Sequence, residues 1–510
     1  MTAYLSVDIG TTNWKVAAFD CNATLITLEK TPAVTHRDQT GAYFLADEIW
    51  KSVKSLLQII LPRLQGYTIR SIACTGMAES IVALDCNGNA FNRIPAWFDP
   101  GRGNGTDIIS QTFGPEKIFQ KTGLDIHPMF VLSRWLQLRD QLSAENKTCF
   151  LLLQMPEYIT YMLSGIACTD YSLASRTMMF NIRKNCWDKE LLSFAQLTEQ
   201  QLPHVTAAGT AIGCISADVA ADTGLPADVL VAVGGHDHPC ATLSAGVAGG
   251  NAVLDSCGTA ESLLYVSKKN APLPDKWQGL RLCRDLSGDR YVLWGGIPAG
   301  GASVEWAFRQ WKVAIDVNRH YPGKTFSYED FCKEYLQTVT PGCRGVLFLP
   351  YLRGAGAPYW KARIPGGFLG LTTETTPEEM MQAVFEGLAY QARQIRDLFQ
   401  TASGEKVETF NTVGGGARIR YAQQIKADIC GVDIRLYHNN EATLAGCAML
   451  GAIATGDITD IEEATALCSQ LKAIVSPYHE KTSVYNTLYS LFLRAYPEAE
   501  KLLIALAATR

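Results

Sequence analysis

Blocks of apolar and polar positions in the first thirty residues predict a three-stranded meander. Residues 4–8 read as a buried strand, 10–13 as a turn and 14–20 as a second strand. Cys21-Asn22 then turns the chain into a third run at 23–28. Trp50, Val53, Leu57 and Ile60 recur at helical spacing, and residues 69–75 read as another buried strand. Strand–helix alternation continues to Gly246, and a second pass begins with strands at 252–256 and 260–266 around the turn Cys257-Gly258-Thr259. Asp8-Ile9-Gly10-Thr11-Thr12 and Asp255-Ser256-Cys257-Gly258-Thr259 are similar hairpins, each heading one half, which predicts duplication with divergence. Ala248-Gly249-Gly250 sets the expected boundary, giving domains at 1–248 and 249–510. The segment from Ile461 onward is expected to be helical and to pack on the second domain.

The most strongly specified element starts at Thr376. Its hydroxyl can cap the helix, Pro377 occupies the first turn where a missing N–H costs nothing, and Glu379 completes a capping box. Met380, Val384, Leu388, Ile395 and Leu398 predict one apolar face, and Gly404 a stop.

Composition narrows the function classes. A chain of 510 residues exceeds one hydrophobic core, so at ~100–200 residues per domain two to four domains are expected. With 47% hydrophobic and 19% charged residues the chain is globular. Its net charge of −5 offers no excess of positive charge for nucleic acid or anionic membranes, and no apolar run is long enough for a bilayer. The first residues already read as a strand and not as a leader, and the 15 cysteines lack any C-x-x-C spacing. Reduced core thiols in a cytoplasmic protein are therefore expected, and no zinc site. A homodimer is compatible with the sequence.

Several motifs have the right chemistry to handle phosphate and hydroxyl groups. Gly10 permits N–H groups to converge on a phosphate, Thr11 and Thr12 add hydroxyls, and Lys15 adds charge, although an ordinary hairpin has the same look. Gly414-Gly415-Gly416-Ala417 joins an apolar strand to a helix and lets a flat ligand approach the backbone. Gly234-Gly235-His236-Asp237-His238 ends a strand; read locally, it is equally a metal site or a loop hydrogen-bond cluster. Gly76-Met77-Ala78-Glu79 offers an acceptor for hydroxyls, and Trp97-Phe98-Asp99-Pro100-Gly101-Arg102 an aromatic with charged neighbours; each could instead form a surface turn. Pro322-Gly323-Lys324-Thr325 has the end of a P-loop, but Asn318 stands at the required upstream glycine, so it reads as a surface turn.

Residues 366–386, G-G-F-L-G-L-T-T-E-T-T-P-E-E-M-M-Q-A-V-F-E, resemble the second signature of the FGGY family of carbohydrate kinases. His127-Pro128-Met129-Phe130 with Arg134 resembles the first signature, and Leu349-Pro350-Tyr351-Leu352-Arg353-Gly354 another family segment, though the usual charged pair after it is lost. The resemblance runs from Leu5 to about Gly456. It implies an α/β fold of two actin-like ATPase (ribonuclease H-like) domains facing an interdomain cleft, with MgATP mainly on the second and a small sugar or polyol mainly on the first. It further implies Asp237 as general base, Asp8 as magnesium ligand, and nucleotide contacts from Gly10, Thr11, Thr12, Lys15, Gly258, Thr259, Gly300, Gly414, Gly415, Gly416 and Ala417. Substrate contacts would come from Met77, Ala78, Glu79, Trp97, Asp99, Arg102, Met129 and His238. Ala78 stands where glycerol kinases have arginine and xylulokinases histidine, so the subfamily is open. Glu79 favours a neutral ketose or polyol, Arg102 keeps an aldonate such as gluconate in play, and an ATPase activating water through Asp237 is the rival reaction.

Overall fold

The computed structural model describes residues 1–99, 104–139, 150–314, 328–438 and 441–509. Arg102 and the Pro322-Gly323-Lys324-Thr325 turn lie outside these.

Two large mixed sheets organise the chain, and their strands are numbered here in chain order. The first holds β1 (Thr2–Ile9), β2 (Asn13–Phe19), β3 (Leu25–Pro32), β4 (Thr68–Gly76), β5 (Ala211–Cys214) and β6 (Leu230–His236), in the order β5-β6-β4-β1-β2-β3. The second holds β7 (Ala252–Cys257), β8 (Glu261–Val266), β9 (Arg281–Arg284), β10 (Tyr291–Ile297), β11 (Thr409–Val413), β12 (Asp433–Tyr437) and β13 (Leu471–Val475), in the order β9-β10-β8-β7-β11-β12-β13. From β3 across to β5, and from β10 across to β13, the pairings run antiparallel, antiparallel, parallel, parallel, antiparallel. The duplication suggested by the two hairpins is thus a repeat of the whole sheet, with β9 added at one edge. This is the expected pair of actin-like α/β units.

Helices repeat as well. The crossovers α1 (Ala46–Ile60) and α2 (Met155–Ser164) in the first unit match α4 (Pro377–Ser403) and α5 (Arg420–Cys430) in the second. Each unit then has a helix after its last parallel strand: α3 (Asp237–Ser244) and α6 (Ala442–Ala454). These two pack on each other at backbone contact. A Cβ on Gly446 would lie 2.0 Å from the Cys240 carbonyl oxygen, and one on Gly451 2.5 Å from Ser71 Oγ of β4. Leu444, Ala445, Ala448 and Met449 of α6 bury against Tyr4, Ala17 and Phe19 of the first sheet. A small-residue helix of the second unit is therefore part of the first unit's core.

Local departures from expectation have local causes. The third strand starts at Leu25 because Asp20 Oδ1 accepts from the N–H groups of Asn22 and Thr24, which holds the turn open through Ala23. The segment after Ile461 is not wholly helical: β13 pairs antiparallel with β12 before the final helix, α7 (Thr482–Ala507). The caps of α4 form as expected, with Thr376 and Glu379 exchanging bonds of 3.3 and 2.9 Å and Gly404 in the left-handed region. Its apolar face does not stay one-sided, however, because α7 and the strand Leu347–Leu349 cover the other sides. Glu386 accordingly sits buried, accepting from Gly342 N–H and from Gln382 Nε2.

Beneath the second hairpin lies a buried cluster. Lys426 Nζ of α5 is 2.7 Å from Asp255 Oδ2, 3.0 Å from Glu261 Oε1 and 3.3 Å from Cys257 Sγ. Asp255, Cys257 and Glu261 have the disposition of a cation site, and the lysine ammonium is its cation. Burial alone would lower the Lys426 ammonium, but Asp255, Cys257 and Glu261 hold it well above its ordinary value. Replacing Lys426 by Met should strand two buried carboxylates and cost ~3–5 kcal/mol. A denaturant midpoint unchanged from wild type would contradict this.

Candidate active site

The site forms where the parallel strands of the first sheet end, the position at which open α/β sheets place their ligands. Asp8 of β1 is in register with Thr75 of β4, and Thr75 with Gly235 of β6. A register shift between Ala232 and Gly235 marks a bulge in β6. There Gly234 runs so close to β4 that a Cβ would lie 1.9 Å from the Cys74 carbonyl oxygen. A bulge bends its strand and re-aims the side chains beyond it. The side chains beyond this one are His236, the cap of α3, and Asp237, its first residue.

Asp237 sits between two histidines. His238 N–H donates to Oδ1 at 2.6 Å, and His236 Nδ1 lies 3.0 Å from the same oxygen. Burial would raise this carboxyl, but His238 and His236 outweigh it and hold Asp237 well below the usual carboxylate range. Asp8 behaves oppositely. Burial, together with Asp237 and Glu441, pushes its carboxyl up to about 7, with only Lys15 opposing. No hydrogen bond to the Asp8 carboxylate is formed among the described residues. Lys15 spends its own charge on Glu441, the cap of α6, at 2.7 Å, and so ties the first hairpin to the second unit.

The remaining phosphate-handling candidates fall into two groups. Thr11 and Thr12 cap the first hairpin, with Thr11 Oγ1 accepting from Trp97 Nε1 at 2.8 Å. Gly258 and Thr259 form the exposed tip of the second. Gly300 starts a helix on that tip, whose Gly301 and Ala302 N–H groups donate to the carbonyls of Gly258 and Thr259. The Gly414–Ala417 turn packs beside it. A Cβ on Gly414 would meet the Cys257 carbonyl at 2.7 Å, whereas Gly415 faces open space. The sequence candidates in the second unit are therefore contiguous.

The expected substrate residues divide differently. Glu79 is buried with φ 65°, a left-handed conformation unusual for glutamate. Gln154 Oε1 fixes it by accepting from its N–H at 2.9 Å. Its Oε1 is not open, because Arg176 Nε and Nη2 reach it at 2.6 and 2.5 Å. His238 and His236 both set their rings edge-on to Trp294 of β10 at 5.1 Å. Met129 meets Arg281 through its sulfur, and Arg281 also pairs with Asp125 at 2.6 Å. Met77 and Ala78 are buried, and Met77 N–H donates to Ile9. Asp99 does not join this group: its carboxylate accepts from Ala42 N–H at 2.8 Å and holds the turn at 41–42. The arginine of the first signature segment, Arg134, donates to the carbonyls of Met129, Trp97 and Asp99, and so positions the loop.

Motif reading passed over Arg176, Trp294, Arg281 and Asp125, which the structure places against the candidate residues Glu79, His238 and Met129. Arg176 stacks between Phe130 (5.0 Å) and Trp294 (4.6 Å), and Arg281 between Phe130 (4.9 Å) and Trp360 (3.7 Å). This ladder joins the two units and ends beside a cavity of about 610 Å³ lined in part by Asp125, Trp277, Tyr359 and Trp360. A lone arginine within the otherwise uncharged run 171–182 was the available signal. Gly234→Ala should disturb both stability and the placement of Asp237, because the added Cβ would lie 1.9 Å from a backbone carbonyl oxygen that cannot move aside. A protein with wild-type melting temperature and turnover would contradict this close approach.

Comparison with known proteins agrees with the geometry. The family model described as the FGGY family of carbohydrate kinases, N-terminal domain, matches residues 3–244, and the C-terminal domain model matches 253–455. A gluconokinase of Bacillus subtilis is 25% identical over 97% of this chain and 95% of its own length, and a xylulose kinase of Staphylococcus epidermidis 25% identical over 98% and 97%. The solved structure of a xylulose kinase from Lactobacillus acidophilus superposes with a TM-score of 0.88 at 22% identity, covering 98% of this chain and 99% of that one. A gluconate kinase from the same organism gives 0.87 at 21%, covering 98% of each. With both domain models matched in order, the chain belongs to the FGGY family of carbohydrate kinases.

Proposed function

We propose that this carbohydrate kinase transfers the γ-phosphoryl group of ATP to a hydroxyl of a small sugar or polyol, with Asp237 taking the hydroxyl proton. The observation that supports this best is the pairing of Asp8 and Asp237, at the ends of the two strands that flank β4, with opposite carboxyl behaviour. Environments that push two carboxyls apart give them different tasks. Asp237, held ionised, accepts a hydrogen bond from the attacking hydroxyl and orients its oxygen. Its low basicity suits phosphoryl transfer, in which charge spreads over the transferring group and the attacking hydroxyl needs orientation more than early deprotonation.

Asp8 fits a magnesium ion. Its carboxylate is buried beside Asp237 and Glu441, an excess of negative charge that a divalent cation would offset, and Lys15 is already paired. Bound there, magnesium supplies neutralisation of phosphate oxygens. Nucleotide phosphates would lie between the hairpins of Thr11-Thr12 and Gly258-Thr259, and the adenosine against the Gly414–Ala417 turn, where Gly415 leaves space. In this reading the first unit, 1–248, holds the sugar and the second, 249–510, the nucleotide. Closure of the two units would exclude water and protect ATP from hydrolysis.

Asp237→Asn keeps the size and hydrogen-bonding reach of the side chain but not its charge. It should fold, bind ATP and lose ~10²-fold or more in turnover. Near-normal turnover would remove Asp237 from this role, and rapid ADP release by wild type without sugar would favour the ATPase reaction. Asp8→Asn removes a carboxylate that its surroundings repel. The ligand-free variant should melt no lower than wild type while losing both turnover and stabilisation by MgATP. A variant still stabilised by magnesium as strongly as wild type would exclude Asp8 as its ligand.

A further inference from the structure

The buried pair Glu79–Arg176 has two unused positions. Arg176 is 3% exposed, and its Nη1 is buried without a partner. Nε and Nη2 both go to Glu79 Oε1, and Glu79 Oε2 accepts no hydrogen bond among the described residues. An orphaned guanidinium donor in a fully packed setting is costly unless something fills it. The arginine cannot swing away to find another partner, because Phe130 and Trp294 clamp its plane from two sides. His238 lies against the same Trp294 and adjoins Asp237 in sequence, which places the pair beside the proposed phosphoryl acceptor site.

Resting on the kinase reading above, we infer that Glu79 and Arg176 together recognise two neighbouring oxygens of an uncharged polyhydroxyl substrate. One substrate hydroxyl donates to Glu79 Oε2, and the adjacent hydroxyl or carbonyl oxygen accepts from Arg176 Nη1. The pair is neutral as a unit, so it attracts no net charge and presents one acceptor beside one donor, the complement of a vicinal diol or a ketol. An aldonate carboxylate fits poorly. It has no proton for Oε2, it would face Glu79 and the ionised Asp237, and among the described residues no uncommitted cation faces it. Arg176 is neutralised by Glu79, Arg281 by Asp125, and Arg134 is bonded to three backbone carbonyls. Arg176 is on this account a specificity-determining residue, and its element and spacing differ from those of the Met77-Ala78-Glu79 segment.

The test uses full-length protein, MgATP, and neutral ketoses and polyols, their singly deoxygenated analogues, and aldonates. Arg176→Lys keeps the charge but not the fork; Arg176→Met removes both, and because it leaves Glu79 unpaired the lysine variant keeps the test valid if it fails to fold. The expected result is a neutral compound as best substrate, with Arg176→Lys raising its KM ~10- to 100-fold while kcat and the KM for ATP change little. That penalty should vanish for one particular deoxy analogue and persist for the others, which a merely structural role would not produce. A higher kcat/KM for an aldonate than for any neutral compound, or an equal KM penalty across all analogues, would overturn the inference and leave the kinase standing. No sugar-dependent ADP release from wild type with any compound would overturn the kinase reading itself, and this inference with it.

Discussion

The backbone contact between α3 and α6 is the constraint on which the rest depends. Each helix comes directly after the last parallel strand of its unit, and Gly446 lets α6 sit against the Cys240 carbonyl of α3. Any side chain there would force the helices apart. Because Asp237 is the first residue of α3 and Glu441 caps α6, this contact fixes the candidate base of one unit relative to the entrance of the other. The Lys15–Glu441 ion pair then secures the first hairpin to the same helix end. Interiors this closely packed transmit small displacements, so the contact sets the geometry of the cleft as well as its stability.

Duplication gave the two hairpins similar acids and then different fates. Asp255 and Asp8 each head a unit on its first strand. Asp255 is matched internally by Lys426 and Thr412, so it braces the second hairpin and has no charge left for a ligand. Asp8 has no bonded cation among the described residues, and its burial beside Asp237 is unfavourable until something positive arrives. One unit therefore spends its carboxylate on structure, and the other leaves its carboxylate without a bonded cation among the described residues.

Much of this was legible in the chain. The hairpins, the Gly-Gly before His236, the capped helix at Thr376 and the three-glycine turn are short segments whose neighbours in space are neighbours in sequence, and through their resemblance to the family they pointed to fold class and reaction class. Lys426 was not legible, and Arg176 showed only as a lone charge in an uncharged run, with nothing to name its partner. Their partners lie 171 and 97 residues away, and nothing in the local sequence distinguishes a lysine that fills a carboxylate cage from one on a solvated face. Asp99 shows the converse. It stands in a motif that suggests substrate contact, yet Gly41 and Ala42 arrive from a distant hairpin and take its carboxylate. Strand β13 was missed because Lys472 and Ala473 at its centre have weak β-preference, and the short run becomes a strand by pairing with β12.

Phosphorus NMR of the reaction products tests the central claim most directly. The protein would be incubated with MgATP and a mixture of uncharged ketoses and polyols. A new phosphomonoester resonance, formed in step with ADP and absent when sugar is omitted, is the expected result. Inorganic phosphate appearing with ADP at the same rate with and without sugar would contradict it, because it would mean that water, and not a sugar hydroxyl, is the acceptor.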